Sequence, residues 1–353
     1  MRARRTAIIT LVGLYAGSIC AGALLARVGM PLPWMIGPLI LTACVYMNGM
    51  TTIKVPVRTR PIGQMVIAAQ VGLAFTPSAL VALLSLIPLL IGAALLTAAL
   101  ASAVAVLVAR MTEIRLAQAF LGTFPISPVE AAVMAEKLGC ETTPVILSQT
   151  IRIAAVVILI PLSVYAMEGW PARNGVAPAE TWQPMGNVVL AFFAVSGALT
   201  FKWLRISNPF FLGPLAFSAF AAAAGHQVTA FPIILLSAAQ IVLGTWLGSN
   251  FRRDLLAKGG RLVATTLLST MALLLIITAA ALGLAVLTGV NWKVLVLGLA
   301  PGSVTEMALT AKFLGADLAV VTAFQLTRIF IFMPNAPWLI RLIDQYEQRR
   351  NTP

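Results

Sequence analysis

Charge is scarce in this chain, and negative charge is scarcest: 353 residues carry 11 Asp and Glu against 24 Lys and Arg, with one His and three Cys. A copper or iron oxygenase needs several His or carboxylate ligands, so that chemistry is excluded and no enzyme activity, metal or cofactor is expected. Cys20, Cys44 and Cys140 show no paired spacing, which excludes a disulfide framework and a thiolate metal centre, and the lone His226 is no metal site. A net charge of +13 would draw nucleic acid to a soluble protein. Here the basic residues lie in short loops between apolar runs, and no polar segment is long enough to dock in a groove, so no nucleic-acid partner is expected. What is abundant is apolar: 60% of residues are hydrophobic and the mean hydropathy is +0.96. That composition reads as an all-α, polytopic helical membrane protein whose first partner is the lipid bilayer.

The apolar text is also written twice. Pairing each residue with the one 176 positions later matches Pro33 with Pro209, Gly37 with Gly213, Pro38 with Pro214, Gln64 with Gln240 and Gly72 with Gly248. The same register matches Gly122 with Gly298, Pro125 with Pro301, Ser127 with Ser303, Glu130 with Glu306, Gly139 with Gly315, Gln149 with Gln325 and Arg152 with Arg328. Chance similarity between apolar segments would recover Leu, Ala and Val, whereas these matches are Gly, Pro, Gln, Glu and Arg. An internal duplication follows, with a first membrane repeat at 1–167, a polar linker at 168–184 and a second repeat at 185–353. Duplicated membrane halves point first to a transporter. The basic, apolar start can be read as a cleaved signal peptide, but AGAL at 21 to 24 recurs within SGAL at 196 to 199, which favours a retained first helix.

Six apolar segments are expected in each half: 7 to 26, 31 to 50, 61 to 76, 85 to 109, 116 to 138 and 143 to 167, then 185 to 203, 209 to 225, 231 to 250, 262 to 288, 293 to 314 and 318 to 340. Loop charge decides how many cross. If 116 to 138 and its counterpart enter and leave on one face, 18 Lys and Arg fall inside and 4 outside, with Arg152 and Arg328 left within the membrane. If every segment crosses, the division is 13 against 9, which is almost no bias. The positive-inside rule therefore favours two inverted repeats, each of five transmembrane helices plus one re-entrant helical hairpin, with both termini cytoplasmic.

The hairpin tips read PISPVE at 125 to 130 and PGSVTE at 301 to 306. Pro125 and Pro301 stop the first arm of each hairpin, and Ser followed three residues later by Glu is a capping box for the second. On the structural reading Ser127 and Ser303 cap helices and Glu130 and Glu306 complete those caps. On the functional reading a helix N-terminus inside the membrane offers free backbone N–H groups to an anion, and the two Glu bind a coupling proton or Na+. Arg152 and Arg328 each follow a Gln by three residues, so Gln149 shares a helix face with Arg152 and Gln325 with Arg328. They read either as structural partners of the Glu pair or as a guanidinium fork for a substrate carboxylate or phosphate. Gly37–Pro38 and Gly213–Pro214 are expected to interrupt the second helix of each half, as kinks or as openings of backbone carbonyls. Gln64 and Gln240 read as interhelical hydrogen-bonding residues.

GPL at 37 to 39 and 213 to 215, followed by LGTFPISPVEAAVMAEKLG and LGLAPGSVTEMALTAKFLGAD, resembles the duplicated AbrB family of bacterial inner-membrane proteins over nearly the whole chain. The first tip departs from the second in having Ile126 and Pro128 where the second has Gly302 and Val304. Members carry labels such as ammonia monooxygenase and regulator of gene expression; the ligand count above argues against the first, and a regulator of this composition acts indirectly. The unrelated soluble DNA-binding protein that shares the AbrB name is no guide here. The expected function is a secondary transporter of a small solute, an organic anion, by alternating access; the alternative is a membrane sensor or regulatory protein. A homo-oligomer is left open.

Overall fold

Pro at the first or second position of six helices marks where this chain enters them, since a helix start has no use for the missing N–H. The computed structural model describes residues 2–112, 114–126, 128–169, 183–206, 208–251 and 260–351. Ser127, most of the linker at 168–184 and the basic positions 252 to 259 lie outside the described residues. Among those described there are fourteen α-helices and no strand. The first half forms α1 (Arg2–Val28), α2 (Pro33–Met47), α3 (Arg60–Gly72), α4 (Pro77–Thr112), α5 (Leu116–Thr123), α6 (Pro128–Lys137) and α7 (Thr142–Glu168). The second forms α8 (Pro184–Trp203), α9 (Pro209–Ala223), α10 (Ile233–Gly248), α11 (Gly260–Thr288), α12 (Trp292–Leu299), α13 (Val304–Phe313) and α14 (Leu318–Asn351). α2 with α9, α5 with α12 and α6 with α13 begin and end 176 residues apart.

Six of these helices are long and apolar enough to cross a membrane. In α7 and α14 the most apolar stretch is 61% and 44% buried, whereas in α1, α4, α8 and α11 it is 17 to 28% buried, so the former pair is interior and the latter turn apolar side chains outward. Trp203 and Val286 are among those outward residues. Apolar exposure on that scale suits a lipid solvent, and the chain is a helical protein of membrane type.

The helices group into two compact units, each drawing on both halves of the sequence. One comprises α1, α2, α3, α8, α9 and α10, with the C-terminal end of α7 and most of α13. In it α3 packs on α9 and α10 on α2, so the third helix of each half lies on the second helix of the other. Glycine makes the approach possible: a Cβ on Gly72 would come within 2.7 Å of Leu215 O, and one on Gly248 within 2.5 Å of Leu39 O. Gly37 and Pro38 lie inside α2, and Gly213 and Pro214 inside α9; both helices continue through the expected interruptions. The glycines there serve contact, Gly37 against the backbone of Ala21 and Gly22 and Gly213 against that of Gly197 and Ala198. The other unit contains most of α4, α5 with α6, the first part of α7, α11, α12, the start of α13 and most of α14.

Candidate functional site

α5 stops at Thr123 and α12 at Leu299, and in each case the next residue is extended, Phe124 at ψ 135° and Ala300 at ψ 133°. Pro125 and Pro301 follow, and their missing N–H has a definite cost. Helical geometry would pair each with the carbonyl four residues earlier, so Leu121 C=O and Leu297 C=O lose their partners. Leu121 and Leu297 are fully buried, so bulk solvent does not replace those partners.

Gln149 and Gln325 supply the replacement from α7 and α14. Gln149 Nε2 donates to Leu121 O at 2.5 Å and to Phe124 O at 3.1 Å; Gln325 Nε2 donates to Leu297 O at 2.7 Å and to Ala300 O at 3.1 Å. The arginines one turn further on complete the arrangement. Arg152 Nη1 donates to Thr123 O and Phe124 O at 3.0 and 2.9 Å, and its Nη2 to Gln149 Oε1 at 2.6 Å. Arg328 donates from Nη1 to Ala300 O and from Nη2 to Gly302 O, at 2.5 and 2.6 Å. Both guanidinium groups, at 3% exposure, therefore sit on the carbonyl end of a short helix, where its dipole is negative. Among the described residues each Nε is buried with no hydrogen-bond partner, as is Gln325 Oε1.

Beyond each tip the chain re-enters a helix. Ser303 directly precedes α13 and its C=O accepts from Met307 N at 3.1 Å, which opens the new helix at that residue. Glu130 and Glu306 stand in the first turns of α6 and α13, both half-buried. The tips are also reached from the other half: Phe124 lies 4.7 Å, ring to ring, from Phe332 of α14, and a Cβ on Gly302 would meet Val156 of α7 at 2.8 Å. Val156 and Phe332 are themselves 176 positions apart. Thus Pro125, Gln149, Arg152, Pro301, Gln325 and Arg328 are gathered in one unit, and Gly37, Pro38, Gly213 and Pro214 belong to the other.

At the far end from its tip, α5 is tied to α6 and α14. Arg115 donates to Leu138 O at 3.3 Å and pairs with Asp344 at 2.8 Å, and its Nη1 lies 3.7 Å from Cys140 Sγ. Glu347 accepts from Leu116 N at 2.9 Å and Ala117 N at 3.5 Å, capping α5 from the end of the last helix. Burial pushes the Cys140 thiol up, and the neighbouring Arg115 charge partly offsets this. None of Arg115, Asp344 and Glu347 stood out in the sequence as a cluster. The available signal was two acids three residues apart in a final helix, in a chain with few acids.

A family model described as AbrB, "Transition state regulatory protein AbrB", matches residues 2–126 and 34–344. The chain is similar to "Uncharacterized protein YhjN" of Bacillus subtilis (strain 168), 27% identical with 92% of this chain and 91% of that protein aligned. It is also similar to "Putative regulator AbrB" of Escherichia coli (strain K12), 24% identical with 95% of this chain and 98% of that protein aligned. With the family model matching most of its length, and with the twin tip motifs in place, the chain belongs to the AbrB family.

Proposed function

We propose that the protein is not an enzyme but a secondary transporter that carries a small organic anion across the bacterial inner membrane by alternating access. The observation that carries this reading is the pair of orphaned Nε donors on Arg152 and Arg328, buried beside two interrupted helices. A bound oxygen acceptor would satisfy such donors, and the N-termini of α6 and α13 add a positive dipole end from each half. Glu130 and Glu306 bring the group of four to neutrality when ionised. Protonating one leaves a net positive charge that draws an anion, which is a route to proton-coupled uptake.

Inverted repeats fit the same geometry. Through Arg115 the end of α6 is held at the start of α5, so the two arms enter and leave at one end as a re-entrant hairpin. At about 1.5 Å per residue the arms are about 12 and 15 Å long, a length that suits a tip near the middle of a bilayer core of about 30 Å. The same Arg115 touches Cys140, just before α7, and Asp344, near the end of α14; α7 and α14 therefore run in opposite directions. This supports halves that insert upside down relative to each other, and the loop charges support both termini on the cytoplasmic side.

The test is exchange of labelled solute in proteoliposomes, with candidate anions first chosen by the rise they cause in the unfolding midpoint. Glu130→Gln and Glu306→Gln keep shape and cap but cannot ionise, so uptake driven by a pH gradient should be lost while yield is kept. Normal pH-driven uptake by both variants would remove the coupling role. The name of the Escherichia coli relative, a regulator, favours a second reading, a membrane sensor that binds the same anion and signals indirectly. Midpoint shifts with no exchange in the same vesicles would decide for it.

A further inference from the structure

We infer that each tip contains a monovalent-cation site that the protein fills permanently with its own guanidinium, so that neither tip has room for a sodium ion. At the first tip Thr123 O, Phe124 O and Gln149 Oε1 converge on the Nη groups of Arg152. At the second Ala300 O and Gly302 O converge on those of Arg328, and the carbonyl oxygen of Gln325 lies buried alongside without a donor. A cluster of uncharged carbonyl oxygens at the negative end of a broken helix is the donor set that binds a hard monovalent cation in a membrane protein. Here a positive charge already occupies that position, covalently attached to α7 and α14.

The arrangement has a physical reason. Interrupted helices inside a bilayer need their carbonyls satisfied in every state of the protein, and a diffusible ion would leave them bare whenever it departed. A tethered cation stays. Arg152 and Arg328 are thereby positioning residues first, which hold the tips in shape through Nη while leaving Nε for a ligand. The inference about coupling rests on the transport reading: with the carbonyl sites filled, the coupling ion is the proton and sodium is not required. The inference about the site itself does not depend on transport.

Removing the side chain tests it. Arg152→Ala and Arg328→Ala are purified with the wild type, and thermal unfolding is followed in methylguanidinium chloride, sodium chloride and choline chloride at equal, low concentration. Both variants should unfold several degrees below the wild type and recover part of that loss in methylguanidinium, less in sodium and none in choline, while the wild type responds alike to all three. Variants that do not distinguish the salts overturn the proposal. Should an alanine variant fail to fold, Arg→Lys and Arg→Gln at the same position replace it. Lys carries a monovalent cation into the site and Gln does not, so Lys must be the more stable, and the reverse order overturns the proposal equally. Solute exchange by the wild type in sodium against choline buffer isolates the coupling clause. Stimulation by sodium refutes that clause, whereas absence of exchange in either buffer strikes the transport reading and leaves the unfolding result to judge the site.

Discussion

Tip for tip, the pair α5 and α6 and the pair α12 and α13 are held by the same two residues in one register, Gln149 with Arg152 and Gln325 with Arg328, yet their bases are held by different parts of the chain. Arg115 and Asn291 occupy equivalent positions immediately before α5 and α12. Asn291 caps its own helix, accepting from Lys293 N at 3.0 Å. Arg115 has no acceptor to offer, and the cap comes from Glu347, 231 residues from Leu116. α14 runs to Asn351, seven residues past the point equivalent to the end of α7, and that extension carries Glu347. The tips are alike because a Pro break creates the same bare carbonyl in both, whereas a helix base can be capped by any acceptor in reach.

The largest expected effect attacks what the two pairs share. Gln149→Leu and Gln325→Leu each strip the donor from Leu121 O or Leu297 O, and a buried carbonyl left unsatisfied costs about 1–3 kcal/mol. Equal losses in unfolding midpoint would sustain the equivalence of the tips, and a silent variant at either would break it. Next in size is Glu347→Ala, expected to cost about 1 kcal/mol, as loss of a helix cap does. Hydrogen exchange should then quicken at Leu116 to Ala119 and stay unchanged in α12. Asn291→Ala should give the mirror result at a similar size, confined to α12.

A smaller change sharpens the contrast. Arg115→Asn gives the first base the cap of the second, and in that background Glu347→Ala should no longer alter exchange in α5. The Arg115–Asp344 pair lost in the process is worth little, since Arg115 is 43% exposed. The smallest effect is on Cys140. Burial holds its thiol above the ordinary range and Arg115 pulls it back, so at pH 8 it should label slowly with a thiolate-directed reagent. Arg115→Asn should move the midpoint of the labelling profile to still higher pH. Improved access would raise the rate at every pH without moving that midpoint.

Much of the candidate site was legible because polar residues are rare enough here to be read one by one. Pro125 and Pro301 announced the breaks, and the shared faces of Gln149 with Arg152 and Gln325 with Arg328 announced that something opposite needed them. What they bind was not legible: the acceptors are backbone carbonyls, present at every residue and invisible in side-chain identity. The pairing of Arg115 with Asp344 escaped for another reason, since nothing local relates two positions 229 apart. Gly37–Pro38 and Gly213–Pro214 looked like breaks because Pro removes a donor, but α2 and α9 continue through Pro38 and Pro214. The gathering of helices from both halves into each unit depends on contacts such as Gly72 with Leu215, which no periodicity records.

Those glycine contacts reach beyond stability. Gly72 of the first half seats on α9 and Gly248 of the second on α2, so each half supplies the other's missing surface. A gene encoding one half alone would yield a product with a bare helix face, soluble in lipid but content only beside a second copy. Joining the halves in one reading frame holds their ratio at one to one through every round of synthesis. It also leaves the halves free to differ: the left-handed residue before α2 is Leu32 and the one before α9 is Asn208, and Arg115 answers to Asn291. A molecule made of two like copies would carry every substitution twice, while this one can trial each change on a single side.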